Sequence, residues 1–293
     1  FGKTTNLDML RRFFEISVNS TGDCVPSNET NNYKLFKKNN LKIYGKKEFF
    51  KNHFGKYPVV HIDLGSLKNV TKYLQLLKTF RKILWRSYKP HLYLLNSKVH
   101  DSMALGRHLF KVFNSSEKYR KMSIQTIRNG LAHLVNILYE HHKENVIVLI
   151  DNYNIFLTEF RHKKYTDDKR IMIFMEDVNR SLFSKPGILK RVLLAGNPLD
   201  ETKTNDLKKY YILPNYNLTN YFGFTKSELK NILKKNIRIK KDHLGFMQFV
   251  NGKIDKPDEL DLYRGKQISY ASLNKTTYSF SITSGLMNTT RKT

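Results

Sequence analysis

The amino-acid sequence predicts an α/β fold in which helices flank a parallel sheet. Three compact apolar runs have the length and β-branched content of buried strands: YPVVHIDL at 57–64, VIVLI at 146–150 and RVLLAGN at 191–197. Apolar residues at helical spacing precede each run. The resulting order of helix, strand, helix, strand, helix, strand favours parallel strands joined by right-handed crossovers. We expect the strands to end near Leu64, Asp151 and Gly196, on one edge of the sheet.

The helices are predicted from apolar residues that recur every three or four positions. A first helix begins at the tripeptide 2–4 and carries Leu7, Leu10, Phe13 and Phe14. Residues 17–56 are polar and turn-rich. Residues 67–142 are mostly helical, most clearly at Ile127, Leu131, Leu134, Val135 and Leu138. A further helix over 171–182 leads through a Pro-Gly turn to the third strand.

Beyond residue 220 the pattern changes. The stretch FTKSELKNILKKN begins with Thr225 as N-cap and has Glu228 three residues later, which is a capping box. After about residue 270 the chain is rich in Ser, Thr and Asn with little periodicity. We therefore predict an α/β core over residues 1–222, a helical extension over 223–269 and a disordered tail over 270–293.

Two features of the chain point to phosphate chemistry. Gly2, Lys3 and Thr4 match the end of a phosphate-binding loop, G-x-x-x-x-G-K-[ST], whose backbone N–H groups surround phosphates while the Lys and the hydroxyl bind phosphate and Mg²⁺. A lysine-rich chain also produces this tripeptide by chance, at the start of an amphipathic surface helix. Asp151 ends the strongest predicted strand, at the edge where open α/β sheets bind ligands; a strand-end cap is the alternative.

Five blocks of the sequence together resemble the AAA-ATPase-like family. They are FGKTTNLDMLRRFFE at 1–15, YPVVHIDL at 57–64, VLIDNYN at 148–154, LLAGN at 193–197 and NYFGFTKSEL at 220–229. The resemblance implies a three-layer P-loop NTPase-like fold, a parallel sheet flanked by helices with a small helical C-terminal extension. It also implies that the first strand and the front of the loop belong before Phe1.

The resemblance further implies ATP and Mg²⁺ as ligands and gives site residues their roles. Gly2 and Lys3 would contact the phosphates, Thr4 the Mg²⁺, and Asp151 the waters of the Mg²⁺. Asn197 would sense the γ-phosphate, although an Asn before Pro198 is also a common turn residue. Asn152 stands where the family has a Glu that deprotonates the attacking water, which predicts a pseudo-ATPase with weakened or lost hydrolysis.

The charge of the chain leaves other functions open. Lys and Arg number 52 against 25 Asp and Glu, a formal net charge of +27. Such an excess is typical of proteins that bind nucleic acid or another polyanion, and it also arises from a solvated lysine-rich surface. The alternatives to an ATP-binding domain are therefore a basic nucleic-acid-binding protein without enzymatic activity and an inert interaction scaffold derived from an ATPase.

Sequence features constrain the compartment only loosely. Cys24 is the only cysteine, so an intramolecular disulfide is excluded. No apolar run has the ~18 residues that a membrane-spanning helix requires. N-glycosylation sequons favour a secretory route, whereas a nucleotide site favours an intracellular one; the eight sequons begin at Asn19, Asn28, Asn69, Asn114, Asn179, Asn217, Asn274 and Asn288. His141 and His142 are expected at the exposed end of a helix, without a metal.

Overall fold

The computed structural model describes residues 3–38, 41–95, 110, 112, 121–153, 155 and 167–196. The chain divides into two compact units, one spanning Leu7–Tyr210 and the other combining Phe1–Asn6 with Tyr211–Thr293. Of the second unit, the structure describes residues 3–6, which open the first helix. The predicted helical extension and C-terminal tail lie outside the described residues.

The described secondary structure follows the predicted alternation. Its helices are α1 (Lys3–Phe14), α2 (Asn31–Lys38), α3 (Lys42–Gly45), α4 (Lys47–His53), α5 (Tyr73–Tyr88), α6 (Ile124–His142) and α7 (Asp168–Leu182). Its strands are β1 (Val59–Asp63), β2 (Val146–Asp151) and β3 (Leu189–Ala195). The strands form one parallel sheet in the order β1-β2-β3. The predicted fold class is confirmed.

Helices cover both faces of the sheet because side chains alternate along each strand. On one face, Val60, Val148 and Ile150 belong to a large apolar core shared with α5, α6 and α7. On the other face, Ile147 and Leu149 pack with apolar residues of α1. The central strand β2 is buried at all six positions, which explains why its sequence is continuously apolar rather than alternating. The result is three layers, with the sheet in the middle.

Three short helices occupy the stretch that the sequence marks only as polar and turn-rich. Helices α2, α3 and α4 pack around Phe13 of α1 and form a second, smaller apolar core with it. The buried residues of this core are Phe13, Phe36 of α2, Phe50 of α4 and Phe54, which follows α4. Each of these three rings lies 5.5 Å from the ring of Phe13 in an edge-on contact, and the rings of Phe50 and Phe54 stack at 4.5 Å. The sequence missed these helices because each is too short to show a helical period.

The prediction that His141 and His142 lie at an exposed helix end is wrong. His141 and His142 are half-buried, and their rings contact each other edge-on at 4.5 Å. His141 Nε2 lies 3.1 Å from the carbonyl oxygen of Gly22, and His142 Nε2 lies 2.9 Å from the hydroxyl of Tyr93. The pair therefore fixes the turn after α1 to the end of α6.

Candidate functional site

The carboxyl ends of the three strands meet at one edge of the sheet. In the parallel register, Asp63 of β1 lies beside Asp151 of β2, and Asp151 lies beside Ala195 of β3. Backbone hydrogen bonds continue past the strands, from the N–H of Leu64 to the carbonyl of Asp151 and from the N–H of Tyr153 to that of Ala195. The predicted strand ends are confirmed to within one residue. Two carboxylates therefore stand on neighbouring strands at this edge.

Asp151 is the buried member of the two carboxylates. Its exposed fraction is 1%, which is exceptional for an aspartate because burying a charge is costly unless hydrogen bonds or other charges compensate it. One of its oxygens, Oδ1, accepts the backbone N–H of Asn152 at 2.9 Å. The next turn of backbone thus caps the carboxylate and fixes its direction at the end of the strand.

Asn152 adopts a left-handed backbone conformation with φ 56°. Asn tolerates this region better than other non-glycine residues because its short side chain forms local hydrogen bonds. Its Nδ2 donates a hydrogen bond of 3.0 Å to Oδ1 of Asp63, a residue 89 positions earlier in the chain. The amide of Asn152 is therefore committed to the carboxylate at the end of β1.

The loop after β1 completes this contact. The backbone N–H of Gly65 donates a 2.8 Å hydrogen bond to the same Oδ1 of Asp63. A Cβ atom at position 65 would lie 3.0 Å from both Asn152 Nδ2 and Asp63 Oδ1, closer than side chains normally approach. The absence of a side chain at Gly65 therefore leaves room for the hydrogen bond between Asp63 and Asn152.

The chemistry available to this edge follows from which groups accept and which donate. The two carboxylates accept protons and coordinate hard cations, whereas the Asn152 amide nitrogen only donates. With the amide nitrogen bound to Asp63, position 152 offers no group that takes a proton from water.

His61 lies on β1, two residues before Asp63. Burial lowers its pKa, the positive charge of Arg11 lowers it further, and Asp151 and Asp63 oppose this shift. Its Nε2 is buried and has no hydrogen-bond partner within the described residues. A neutral imidazole is the form this environment favours, because the low pKa disfavours its protonation.

The remaining residues predicted for the site are placed only in part. Lys3 and Thr4 are the first two residues of α1, so the described part of the tripeptide begins a helix as predicted. Gly2 and Asn197 lie outside the described residues. The approach of Lys3 to within about 15 Å of Asp151, which a shared Mg²⁺-phosphate group requires, stays a prediction.

Asp63 is the residue that sequence reasoning missed. It ends an apolar run in the same way as Asp151 does, so the same signal was present in YPVVHIDL. The sequence alone provided no reason to pair it with Asn152, because the contact depends on the register between β1 and β2.

The part of the chain that the structure describes has neither a cluster of metal ligands nor a membrane-spanning helix. Its residues contain no group of three or more His, Cys, Asp or Glu side chains that could hold a metal ion. None of the described helices has both the length and the hydrophobicity needed to cross a bilayer.

Comparison with known proteins identifies one family. The family profile described as Predicted AAA-ATPase, of the AAA-ATPase-like family, matches residues 1–203. The match therefore includes the tripeptide at 2–4, all three strands and the Asp63, Asp151 and Asn152 edge. No curated protein and no solved structure matches the chain.

Proposed function

Because the chain belongs to the AAA-ATPase-like family, we propose that it is an ATP-binding domain whose hydrolytic activity is weakened or lost. One observation carries the proposal. Asp151 is a buried carboxylate at the end of the central strand, while the next side chain is an amide that donates to Asp63. The acidic residue that the family uses to hold Mg²⁺ is present as Asp151. The position of the family's general base is occupied by Asn152, whose amide donates a hydrogen bond.

The proposed roles of the residues follow their chemistry. Lys3 neutralises the β- and γ-phosphates, and the backbone at Gly2 donates to them. Thr4 would hold Mg²⁺ with its hydroxyl, and the carboxylate of Asp151 would hold the waters of the Mg²⁺. Mg²⁺ usually takes one or two protein ligands and completes its shell with phosphate oxygens and waters, so this donor set suits it. Asn197 contacts the γ-phosphate or its attacking water.

Bound Mg²⁺ would neutralise charge that develops on the phosphates. The protein's own contribution to hydrolysis would be to orient water and remove its proton. Asn152 has no basic atom for that purpose, and loss of a general base costs about 10²–10⁴-fold in rate. We therefore expect ATP to be held with turnover far below that of an enzyme with a carboxylate at this position.

The first experiment measures nucleotide binding by titration calorimetry with Mg²⁺-ATP, using the full-length gene product. Lys3→Ala and Asp151→Asn should each weaken ATP binding by at least tenfold, since each removes a charge that acts on the phosphates or the Mg²⁺. Lys82→Ala is the matched control, because Lys82 is an exposed lysine on α5. Wild-type protein without measurable ATP affinity would reject the proposal and favour the inert scaffold.

The second experiment tests the missing base. Asn152→Glu restores the carboxylate and is combined with Asp63→Asn, so that two carboxylates do not meet at the sheet edge. ATP hydrolysis should rise at least tenfold, with the dissociation constant of ATP changed by only a few-fold, because a base acts on the transition state. Asp63→Asn alone is the control. A wild-type rate typical of AAA enzymes would contradict the proposal; loss of that rate in Asp63→Asn would then identify Asp63 as the base.

A further inference from the structure

Positive charge is concentrated in one segment of the chain. Residues 31–56, here called the lysine-rich segment, contain eight lysines and one acidic residue, Glu48. They are Lys34, Lys37, Lys38, Lys42, Lys46, Lys47, Lys51 and Lys56. This segment holds less than a tenth of the residues and about a quarter of the net charge of +27. The excess is therefore a local feature as well as a property of the whole composition.

The fold places all eight lysines in solvent. The described part of the segment, residues 31–38 and 41–56, contains α2, α3 and α4. Its residues Phe36, Phe50 and Phe54 pack around Phe13, whereas Leu35 and Phe49 are exposed. Phe36, Phe50 and Phe54 are buried there, at 4–7% exposure, whereas every lysine of the segment is exposed. A small aromatic core thus supports a densely charged outer surface.

The lysines of this segment differ from the neighbouring arginines of α1 in their ion pairs. Within the described part of the chain, none of the eight lies within salt-bridge distance of a carboxylate. Arg11 and Arg12 of the neighbouring α1 are different, because both pair with Asp8 and Arg11 also pairs with Glu15, at 2.7–2.8 Å. The lysine-rich surface therefore keeps its charge available for an external anion.

Aromatic rings accompany the lysines on this surface. The ammonium group of Lys47 lies 3.6 Å from the ring centre of Tyr44, and that of Lys37 lies 6.0 Å from the ring centre of Tyr33. The two tyrosine rings contact each other edge-on at 6.3 Å. Phe49 is 44% exposed, an unusual position for a ring of this size.

We propose that the lysine-rich segment is a binding surface for single-stranded nucleic acid, a function separate from the nucleotide site. Such surfaces combine lysines that follow the phosphates with aromatic rings on which bases stack, and both are present here. An anionic membrane is the main competing partner. It fits less well, because an interfacial helix needs a continuous apolar face to insert. Helices α2 and α4 each have one large apolar residue that is exposed, Leu35 and Phe49, while Phe36 and Phe50 are buried in the aromatic core.

The test compares two sets of four substitutions in the full-length protein, without ATP, and each set removes four positive charges. The first set converts Lys37, Lys42, Lys46 and Lys47 to Gln. The matched control converts Lys68, Lys72, Lys78 and Lys82 to Gln, four lysines that are equally exposed and lie on or beside α5. Fluorescence anisotropy of a labelled 20-nucleotide oligo(dT) is measured from about 50 to 300 mM salt.

The wild-type protein should bind the oligonucleotide with an affinity that falls steeply with salt. Each lost phosphate contact lowers the log–log slope by about 0.7 for a single strand, so the first set should reduce it by two to three and weaken binding at least tenfold. The control set should change affinity less than twofold. Equal effects of the two sets, or no binding at 100 mM salt, would overturn the proposal.

Stacking and partner class are tested separately. Phe49→Leu keeps an apolar side chain against Phe13 but removes the exposed ring, and it should weaken oligonucleotide binding at least threefold with an unchanged melting temperature. Duplex DNA of equal length should bind more weakly than the single strand. Tighter binding to duplex would refute the assignment to single strands. Binding to phosphatidylserine vesicles that the first set abolishes, with oligonucleotide binding intact, would assign the surface to membranes instead.

Discussion

The hydrogen bond between Asp63 and Asn152 makes a prediction that does not depend on any ligand. Asn152→Glu replaces the amide donor by a carboxylate that faces the carboxylate of Asp63, at a site where the amide nitrogen and the acceptor oxygen are 3.0 Å apart. We expect this single substitution to destabilise the folded protein, because it removes an attraction, introduces a repulsion and places Glu in a left-handed backbone conformation.

The size of the effect can be estimated from three contributions. Two carboxylates about 4 Å apart repel by roughly 1 kcal/mol in water and by about 4 kcal/mol at an effective dielectric of 20; Asp63 is exposed, so the lower end applies. The hydrogen bond to a charged acceptor contributes about 1 kcal/mol at an exposed site. The left-handed conformation costs Glu about 1 kcal/mol more than Asn. The free energy of unfolding should therefore fall by about 2–4 kcal/mol.

The assay is a double-mutant cycle followed by urea unfolding at pH 7.5. Adding Asp63→Asn to Asn152→Glu removes the repulsion, and the amide at position 63 can then donate to the carboxylate at position 152. The double variant should therefore recover about 1–2 kcal/mol of the free energy of unfolding that Asn152→Glu loses. Asp63→Asn alone should cost less than about 1 kcal/mol, because its oxygen still accepts the N–H of Gly65. Asn152→Gly is the control, since it removes the hydrogen bond but tolerates φ 56°.

Acid pH provides an independent check of the same contact. Neighbouring carboxylates raise each other's pKa, so the repulsion in Asn152→Glu exists above that pKa and is relieved as the pH falls. The difference in free energy of unfolding between wild type and Asn152→Glu should therefore be smaller at pH 4 than at pH 7.5. Additive effects of the two substitutions, within about 0.5 kcal/mol, would show that Asp63 and Asn152 do not interact in the folded protein.

Two further predictions concern residues away from the sheet edge. Burial, with His142 and Arg11 nearby, lowers the pKa of His91 from 6.5 to about 3, so the unfolded chain takes up a proton that the folded chain excludes. The contribution of His91 to the free energy of unfolding should be complete above about pH 6.5 and fall below it, by about 2 kcal/mol at pH 5. Burial also lowers the pKa of His142, to about 4, so wild type loses further stability at pH 5; urea unfolding at pH 8 and 5 should show a smaller total loss in His91→Gln than in wild type, and equal losses would contradict this explanation. Gly130→Ala should destabilise by about 1–3 kcal/mol, since its Cβ would lie 2.8 Å from the buried Leu84. Gly45→Ala, where a Cβ meets nothing within 4 Å, is the control and should be neutral or stabilising in thermal melts.

Much of the fold could be predicted because its signals are local. An unbroken apolar run identified β2, whose six residues are all buried, and helical spacing identified α6 and α7. The order of these elements was sufficient to predict parallel strands that end at one edge, and the register of Asp63, Asp151 and Ala195 confirms it. The family assignment also rested on short blocks read from the sequence.

The helices of the lysine-rich segment could not be predicted in this way. Helix α3 has four residues and α4 has seven, so neither completes enough turns to display a period. Both are stabilised by tertiary contacts around Phe13, which belongs to the separate helix α1. Short helices generally depend on such packing, because their own backbone hydrogen bonds do not offset the cost of nucleation.

The sequence by itself determined that this protein has a parallel sheet flanked by helices, with a carboxylate at the end of its central strand and an amide directly after it. Only the tertiary structure decided what that amide does. Asp63 and Asn152 are 89 positions apart, and they meet because β1 and β2 pair in one particular register and Gly65 leaves room for the contact. Apolar patterns identify helices and strands because they depend only on residues that are close in the sequence. Hydrogen bonds between strand ends depend on how distant segments of the chain pair.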